Sequence, residues 1–237
     1  MKLNDIIVFL NLHRQEKIEK IYSIYQFPQS YGVKVTDLRT LAKTIGYDPY
    51  LASELLTIDS YETIFLSVLI KDPSSWIDTD FKLYAKKARS SSVVDQALAD
   101  VIISSPECLS CLKDLYNSDD LDLTYAFYAT FQGYLRKTPL DVLDVSFGTV
   151  VLDHIKTHIQ DESPSIQNAM NNVVVMAGLH VPDLIEKAYE VAHHIGYVLP
   201  VRAKNSCNIQ SAVDYLDRYI VNPKYSRVAK LKQEKTT

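Results

Sequence analysis

Apolar residues return at three-to-four spacing along nearly the whole chain, the period of an amphipathic helix. Leu3, Ile6, Ile7 and Leu10, followed by Ile18, Ile21, Tyr22 and Tyr25, predict one long helix or two abutting ones over residues 3–25, closed by Phe27-Pro28. Thr36 reads as the N-cap of a stripe formed by Leu38, Leu41, Ala42 and Ile45, which Gly46 stops. Asp48-Pro49 has the form of an N-cap followed by a proline at the first helical position, and so do Thr138-Pro139 and Ser163-Pro164; each is expected to open a helix. Ser60 is a cap for Ile64, Phe65, Val68 and Leu69, which end at Asp72-Pro73. Further helices are expected from Thr79, over Val94 to Ile102, from Glu107 to Asn117, from Asp119-Asp120 through an aromatic run (Tyr125, Phe127, Tyr128, Phe131, Tyr134), from Val181-Pro182 to His194, and from Asn205 to Tyr219.

Strand signals are nearly missing. Val173-Val174-Val175 is β-prone in isolation, yet Ile166, Ala169, Met170 and Ala177 place it inside a helical period, so it reads as buried helix. About a dozen helices joined by short capped turns, in pairs about 30 to 40 residues apart, predict an all-α, HEAT-like helical repeat (an α-solenoid); a compact non-repeat bundle is the alternative. One domain is expected over residues 1–220. Residues 221–237 carry Lys224, Arg227, Lys230, Lys232 and Lys235 against Glu234, which predicts a basic, loosely ordered tail.

Composition narrows the function classes. With 47% hydrophobic residues in 237, a sizeable core is available, while six glycines and nine prolines are few for a turn-rich sandwich or barrel. The net charge of −4 gives no global attraction to nucleic acid or to an anionic membrane, so a phosphate-binding surface has to be local. No apolar run approaches the ~20 residues of a membrane helix. The N-terminus lacks the pattern of a signal peptide and three cysteines (Cys108, Cys111, Cys207) are an odd number, so a cytoplasmic protein without membrane partners, a monomer, is expected.

Candidate chemistry centres on Asp95, beside the stripe Val94, Leu98, Val101 and Ile102. A carboxylate there is either a helix-terminal charge worth about 0.3 to 1 kcal/mol or a catalytic group. Lys82, Lys86, Lys87 and Arg89 precede it and are candidates for DNA-backbone contacts, with Lys71, Arg202, Lys204 and the tail beyond; their alternative is an ordinary solvated face. Residues 107–163 hold ten acids and four bases, a patch that would repel phosphate. The Cys108/Cys111 spacing has no second pair and sits in an apolar pattern, which favours buried thiols over zinc. His154 and His158 share a helix face but lack the glutamate of a metalloprotease helix, and His193-His194 suit a helix C-terminus, so no metal or cofactor is expected.

The segment YGVKVTDLRTLAK (Tyr31 to Lys43), the Leu-Ala-x-x-Leu-Leu pattern within Asp48 to Leu56, and Ser91 to Asp95 together resemble the DNA alkylation repair family of HEAT-like proteins, the AlkD-like alkylpurine DNA glycosylases. The last of these is similar to that family's Trp-Asp-x-Val-Asp motif with the tryptophan replaced. Ala177 to Tyr219 resembles the ending of some short members. The resemblance implies binding of duplex DNA, with excision or sensing of purines alkylated at N3 or N7. Such bases carry positive charge and leave readily, so the enzyme has mainly to stabilise an oxocarbenium-like transition state with a fixed carboxylate, here Asp95. The family's two pocket tryptophans correspond to Ser91 and Asn172, and its backbone-contacting arginine to Tyr125. Loss of the apolar walls would raise the local dielectric and weaken Asp95; Tyr125, Tyr128 and Tyr134 are candidate substitutes, with core packing as their alternative. The competing expectation is a non-enzymatic helical-repeat module that binds DNA structures or a protein partner.

Overall fold

The computed structural model describes residues 1–198 and 211–234. Within them the chain is helical, with two isolated backbone bridges, Gln29 to Ser60 and Tyr197 to Ser211, as its only β-type pairing. The helices are α1 (Leu3–Leu12), α2 (Glu16–Tyr22), α3 (Val35–Ile45), α4 (Pro49–Leu56), α5 (Tyr61–Ile70), α6 (Asp78–Ala88), α7 (Ala99–Ser104), α8 (Cys108–Tyr116), α9 (Leu121–Lys137), α10 (Val145–His158), α11 (Pro164–His180), α12 (Ile185–Ile195), α13 (Ala212–Tyr219) and α14 (Arg227–Glu234). The chain divides into two compact units, Met1–Ala126 and Phe127–Thr237.

The first unit is built around α5. Its sequence YETIFLSVLI is apolar on every side, and nine of its ten residues are buried, as expected of a helix with no solvent face. Asp48 accepts from the Leu51 amide at 2.9 Å to cap α4, and Ser60 accepts from the Thr63 amide to cap α5, so α4 and α5 pair across a short turn. The Ser67 hydroxyl donates to the Ala52 carbonyl at 2.7 Å and meets the Tyr84 hydroxyl at 2.9 Å, tying α4, α5 and α6 together through one buried polar group.

Glu62, fully buried on α5, has no cationic partner among the described residues. Its carboxylate instead accepts from the backbone amides of Tyr31 (3.1 Å), Gly32 (2.7 Å) and Val33 (3.2 Å) and from the Ser30 hydroxyl (3.1 Å). These amides belong to the Tyr-Gly-Val segment of the sequence motif, whose physical purpose is thus to wrap an anion with a backbone nest. Gly32 is required there twice over. Its φ is +68°, and a Cβ would lie 2.6 Å from the Gln15 carbonyl oxygen. Gly32→Ala is expected to cost at least about 2 kcal/mol, read as a lower urea midpoint in the fluorescence of Trp76, the only tryptophan and a member of the same unit.

The second unit repeats this plan around α11, in which eleven of seventeen residues are buried, Val173, Val174 and Val175 among them. The buried-helix reading of that run is correct. Gly178 lets α12 and α13 approach: a Cβ there would stand 2.6 Å from Leu216 Cδ2 and 3.3 Å from Ala188 Cβ. Ser163-Pro164 opens α11 as predicted. Thr138-Pro139 does not open a helix; a turn follows it, and α10 begins at Val145 with Asp144 as cap, its carboxylate accepting from the Phe147 amide at 2.9 Å. The proline signature starts turns as well as helices, and the aspartate further on takes the first free amides.

Residues 3–25 form two helices, one of the two arrangements the spacing allows, broken at His13–Gln15, where the Gln15 amide donates to the Gly32 carbonyl. From residue 221 the chain is not loosely ordered throughout: α14 buries Val228 and Ala229, and Ser226 donates to the Leu179 carbonyl at 3.1 Å. Arg227 spans the carbonyls of Leu135 (3.1 Å), Arg136 and Thr138 (2.8 Å) at the end of α9. Within α14 Lys230 and Lys232 are exposed, while Arg227 and the apolar Val228 and Ala229 dock the helix. The expected helix from Asn205 begins at Ala212; Asn205 itself, with Arg202, Lys204 and Cys207, lies outside the described residues.

Candidate functional site

The C-terminus of α6 sets the position of Asp95. Arg89 follows α6 in a left-handed conformation, φ 56°, and its guanidinium bonds to Asp59 at 2.8 Å and to the Gln26 carbonyl while lying 5.0 Å over the Phe27 ring. The buried Ser91 hydroxyl donates to the Ala88 carbonyl and accepts from the Val93 amide at 3.3 Å, turning the chain into the next helical segment. That segment opens with a π-turn over Val94–Leu98, in which the Ala99 amide reaches the Val94 carbonyl, before α7 continues in α-form. A π-turn widens the helix by one residue and re-aims its side chains, a device found often at functional sites.

Asp95 stands on this π-turn. Its carboxylate Oδ2 accepts a 2.7 Å hydrogen bond from the Tyr125 hydroxyl on α9. The aspartate keeps solvent access yet is closely surrounded by protein, and this crowding raises its pKa above the usual carboxylate range, with the Tyr125 bond opposing part of the rise. Burial, and then the Asp95 charge, push the Tyr125 phenol far up, so it stays protonated and remains the donor. The tyrosine therefore locks the carboxylate in one orientation and spreads its charge.

Aromatic rings adjoin the π-turn. The Tyr61 hydroxyl meets Ser92 Oγ at 2.9 Å; Tyr22 stacks on Tyr61 at 3.8 Å, Tyr25 at 5.9 Å, and Phe27 approaches edge-on at 6.0 Å. Burial raises the Tyr61 phenol strongly and takes Tyr22 to about 12. Arg39 donates to the Gln96 carbonyl on the π-turn and lies 5.6 Å over Phe65. These side chains share the first unit with Asp95. Tyr61, Tyr22 and Phe65 are buried and form the base of this cluster; the half-exposed rings of Tyr25 and Phe27, with Arg39, are what can meet a flat, electron-poor or cationic group.

Of the residues singled out from sequence, Asp95 and Tyr125 are therefore in direct contact. Ser91 is not a pocket wall: it is fully buried and its hydroxyl is committed to backbone. Asn172 lies on α11 in the second unit, its side-chain oxygen buried without a hydrogen-bond partner. Tyr128 and Tyr134 are core residues. Lys82 pairs with Asp114 (2.8 Å) and Lys86 with Asp120 (3.0 Å), so with Arg89 three of the four expected phosphate contacts have carboxylate partners inside the protein. Lys87 is half-buried and makes no ion pair among the described residues. Pairs this exposed are worth 0 to 1 kcal/mol and exchange partners readily, so the cations can still turn to phosphate.

Trp76 stacks on Phe81 (5.3 Å) and meets Tyr84 at a tilt (4.6 Å), an anchor for the turn after α5. Cys108 and Cys111 are buried free thiols, pushed up by burial to about 11 and about 12. His154 and His158 stack at 4.1 Å with His158 Nδ1 3.0 Å from the His154 carbonyl oxygen. Among the described residues no three His, Cys, Asp or Glu side chains converge, and no helix is long and apolar enough to cross a membrane. Tyr25, Tyr61, Arg39 and Glu62 were not anticipated as parts of the site or its support. Arg39 stood in the Leu-Arg of the motif, but nothing in its spacing indicated Gln96.

No protein-family model matches the chain. It is similar to an uncharacterized protein of Listeria innocua serovar 6a, 24% identical over 206 residues, covering 84% of this chain and 88% of the relative. An uncharacterized protein of Listeria monocytogenes serovar 1/2a is 23% identical over the same coverage. A solved structure, from a new family of proteins related to the HEAT-like repeat DNA glycosylases with affinity for branched DNA structures, superposes with a TM-score of 0.82 over 96% of this chain and 98% of its own, at 21% identity.

Proposed function

We propose that this chain, whose fold is the HEAT-like helical repeat, binds DNA, with branched structures as its preferred form. The observation that supports the reading is the near-complete superposition, over 96% of the chain, on a protein from a family with affinity for branched DNA. In this reading the chain recognises DNA and the Asp95 site does not cut. The carboxylate is tied to the Tyr125 hydroxyl, and the position that corresponds to a pocket tryptophan is Ser91, buried in backbone capping, so no apolar wall from that position surrounds the charge. Backbone phosphates supply most of the affinity, met by Lys87 and by cations released from surface pairs.

A second reading, excision of N3- or N7-alkylated purines, is favoured by one observation: an oriented carboxylate beside aromatic rings is what a departing cationic base requires. Incubation of methylated duplex DNA with the full chain separates the two. The recognition reading predicts no release of methylpurine above background by wild type, and junction binding changed less than about threefold in Asp95→Asn. Release by wild type that Asp95→Asn abolishes would establish excision instead. Failure of the wild type to bind any DNA would end both readings.

A further inference from the structure

We infer that the turn between α13 and α14 carries a stacking platform for unpaired nucleotides. Tyr215 and Tyr219 lie one turn apart on α13 with ring centroids at 4.5 Å, and Tyr225, in the turn that follows, meets Tyr219 at 4.8 Å. Two cations attend this row: the Arg218 guanidinium lies 5.9 Å from the Tyr219 ring centre and the Lys224 ammonium 5.4 Å from that of Tyr225. Tyr215 and Tyr219 are half-buried, Tyr225 is 41% exposed, and both cations are exposed.

The acids of the same helix are engaged elsewhere. Asp214 accepts from the Tyr197 hydroxyl and Asp217 from the Tyr189 hydroxyl, each at 3.0 Å. By contrast the hydroxyls of Tyr215, Tyr219 and Tyr225 make no hydrogen bond among the described residues. Three rings whose polar ends do no structural work, in a row flanked by positive charge, have the composition of a surface on which successive bases stack while the backbone follows the cations. Base pairs inside a duplex keep their faces covered, so the platform addresses single strands and the unpaired bases at a branch point. This inference rests on the DNA-binding reading, and it names a separate place, in the second unit, and a separate substrate feature.

Fluorescence anisotropy of the full chain with labelled oligothymidylate, in parallel with linear duplex, tests it. Tyr219→Ala/Tyr225→Ala is expected to weaken oligothymidylate binding by about tenfold or more, with duplex affinity retained within about twofold and Tyr219→Phe/Tyr225→Phe restoring the loss. Arg218→Gln/Lys224→Gln, at exposed positions that leave the fold intact, should weaken the same complex and flatten its salt dependence. Oligothymidylate bound equally by the alanine variant, or left unbound by a wild type that binds duplex, overturns the platform and leaves the DNA-binding reading standing. If the wild type binds no DNA at all, both fall.

Discussion

Glu62→Ala is expected to destabilise the first unit by about 3 to 5 kcal/mol, enough to leave a marginal domain largely unfolded. The carboxylate is fully buried and satisfies three backbone amides and one hydroxyl. Its removal leaves the buried Tyr31 and Val33 amides without a partner, each at about 1 kcal/mol or more, leaves the Gly32 amide only its 3.2 Å bond to Ser30 Oγ, and opens a cavity within α5's packing. Glu62→Gln keeps one acceptor oxygen but turns an NH₂ group toward the amide row, so about half the loss is expected. Urea denaturation followed by Trp76 fluorescence reads both, because Trp76 belongs to the unit that Glu62 holds together. A midpoint unchanged in Glu62→Ala would show that the nest is sustained by the loop itself.

Arg227→Met is expected to loosen α14 and to cost about 2 to 4 kcal/mol, since it deprives the carbonyls of Leu135, Arg136 and Thr138 of a charged donor at the negative end of α9. The same substitution has a signature in pH. Burial, and after it the charges of Arg227 and Arg136, hold the His180 imidazole down at about 4, against an unfolded value near 6.5. A histidine whose folded pKa is depressed contributes its full stability above the unfolded value and loses it as pH falls toward the folded one. Wild type should therefore lose on the order of 2 kcal/mol between pH 7 and 5 from this group, and His180→Gln should flatten that slope. Arg227→Met removes one of the two charges, raises the His180 pKa and makes the slope shallower. Thermal unfolding at the two pH values, followed by circular dichroism, separates these outcomes.

How much of this could be read from sequence depended on whether a residue acts within its own helix or across helices. Asp48-Pro49 and Ser60 were legible because a cap satisfies amides three residues away, a purely local demand; Ser163-Pro164 was legible through its proline at the first helical position, with no side-chain cap bond. The all-round burial of α11 was legible in its composition. Thr138-Pro139 misled because a turn and a helix start share their first two residues, and Asp144 settled the matter. Glu62 was invisible: in YETIFLSVLI it is a single polar residue near a helix start, and its partners lie about thirty residues earlier in the chain. Asp95 and Tyr125 were both named, yet their hydrogen bond follows from a π-turn, which leaves no periodic trace in five residues. Ser91 was legible as the position where the pocket tryptophan is replaced, but not in what it does instead: its hydroxyl is committed to the Ala88 carbonyl and the Val93 amide as a backbone cap.

The salt dependence of competitive binding to a four-way junction and to a linear duplex of the same sequence, measured with the full chain, tests the account most directly. The junction is expected to outcompete the duplex by at least about tenfold, and log affinity to fall with log salt at a slope of several, because each phosphate neutralised releases counterions. Equal affinity for junction and duplex, or binding that salt leaves unchanged, would contradict it.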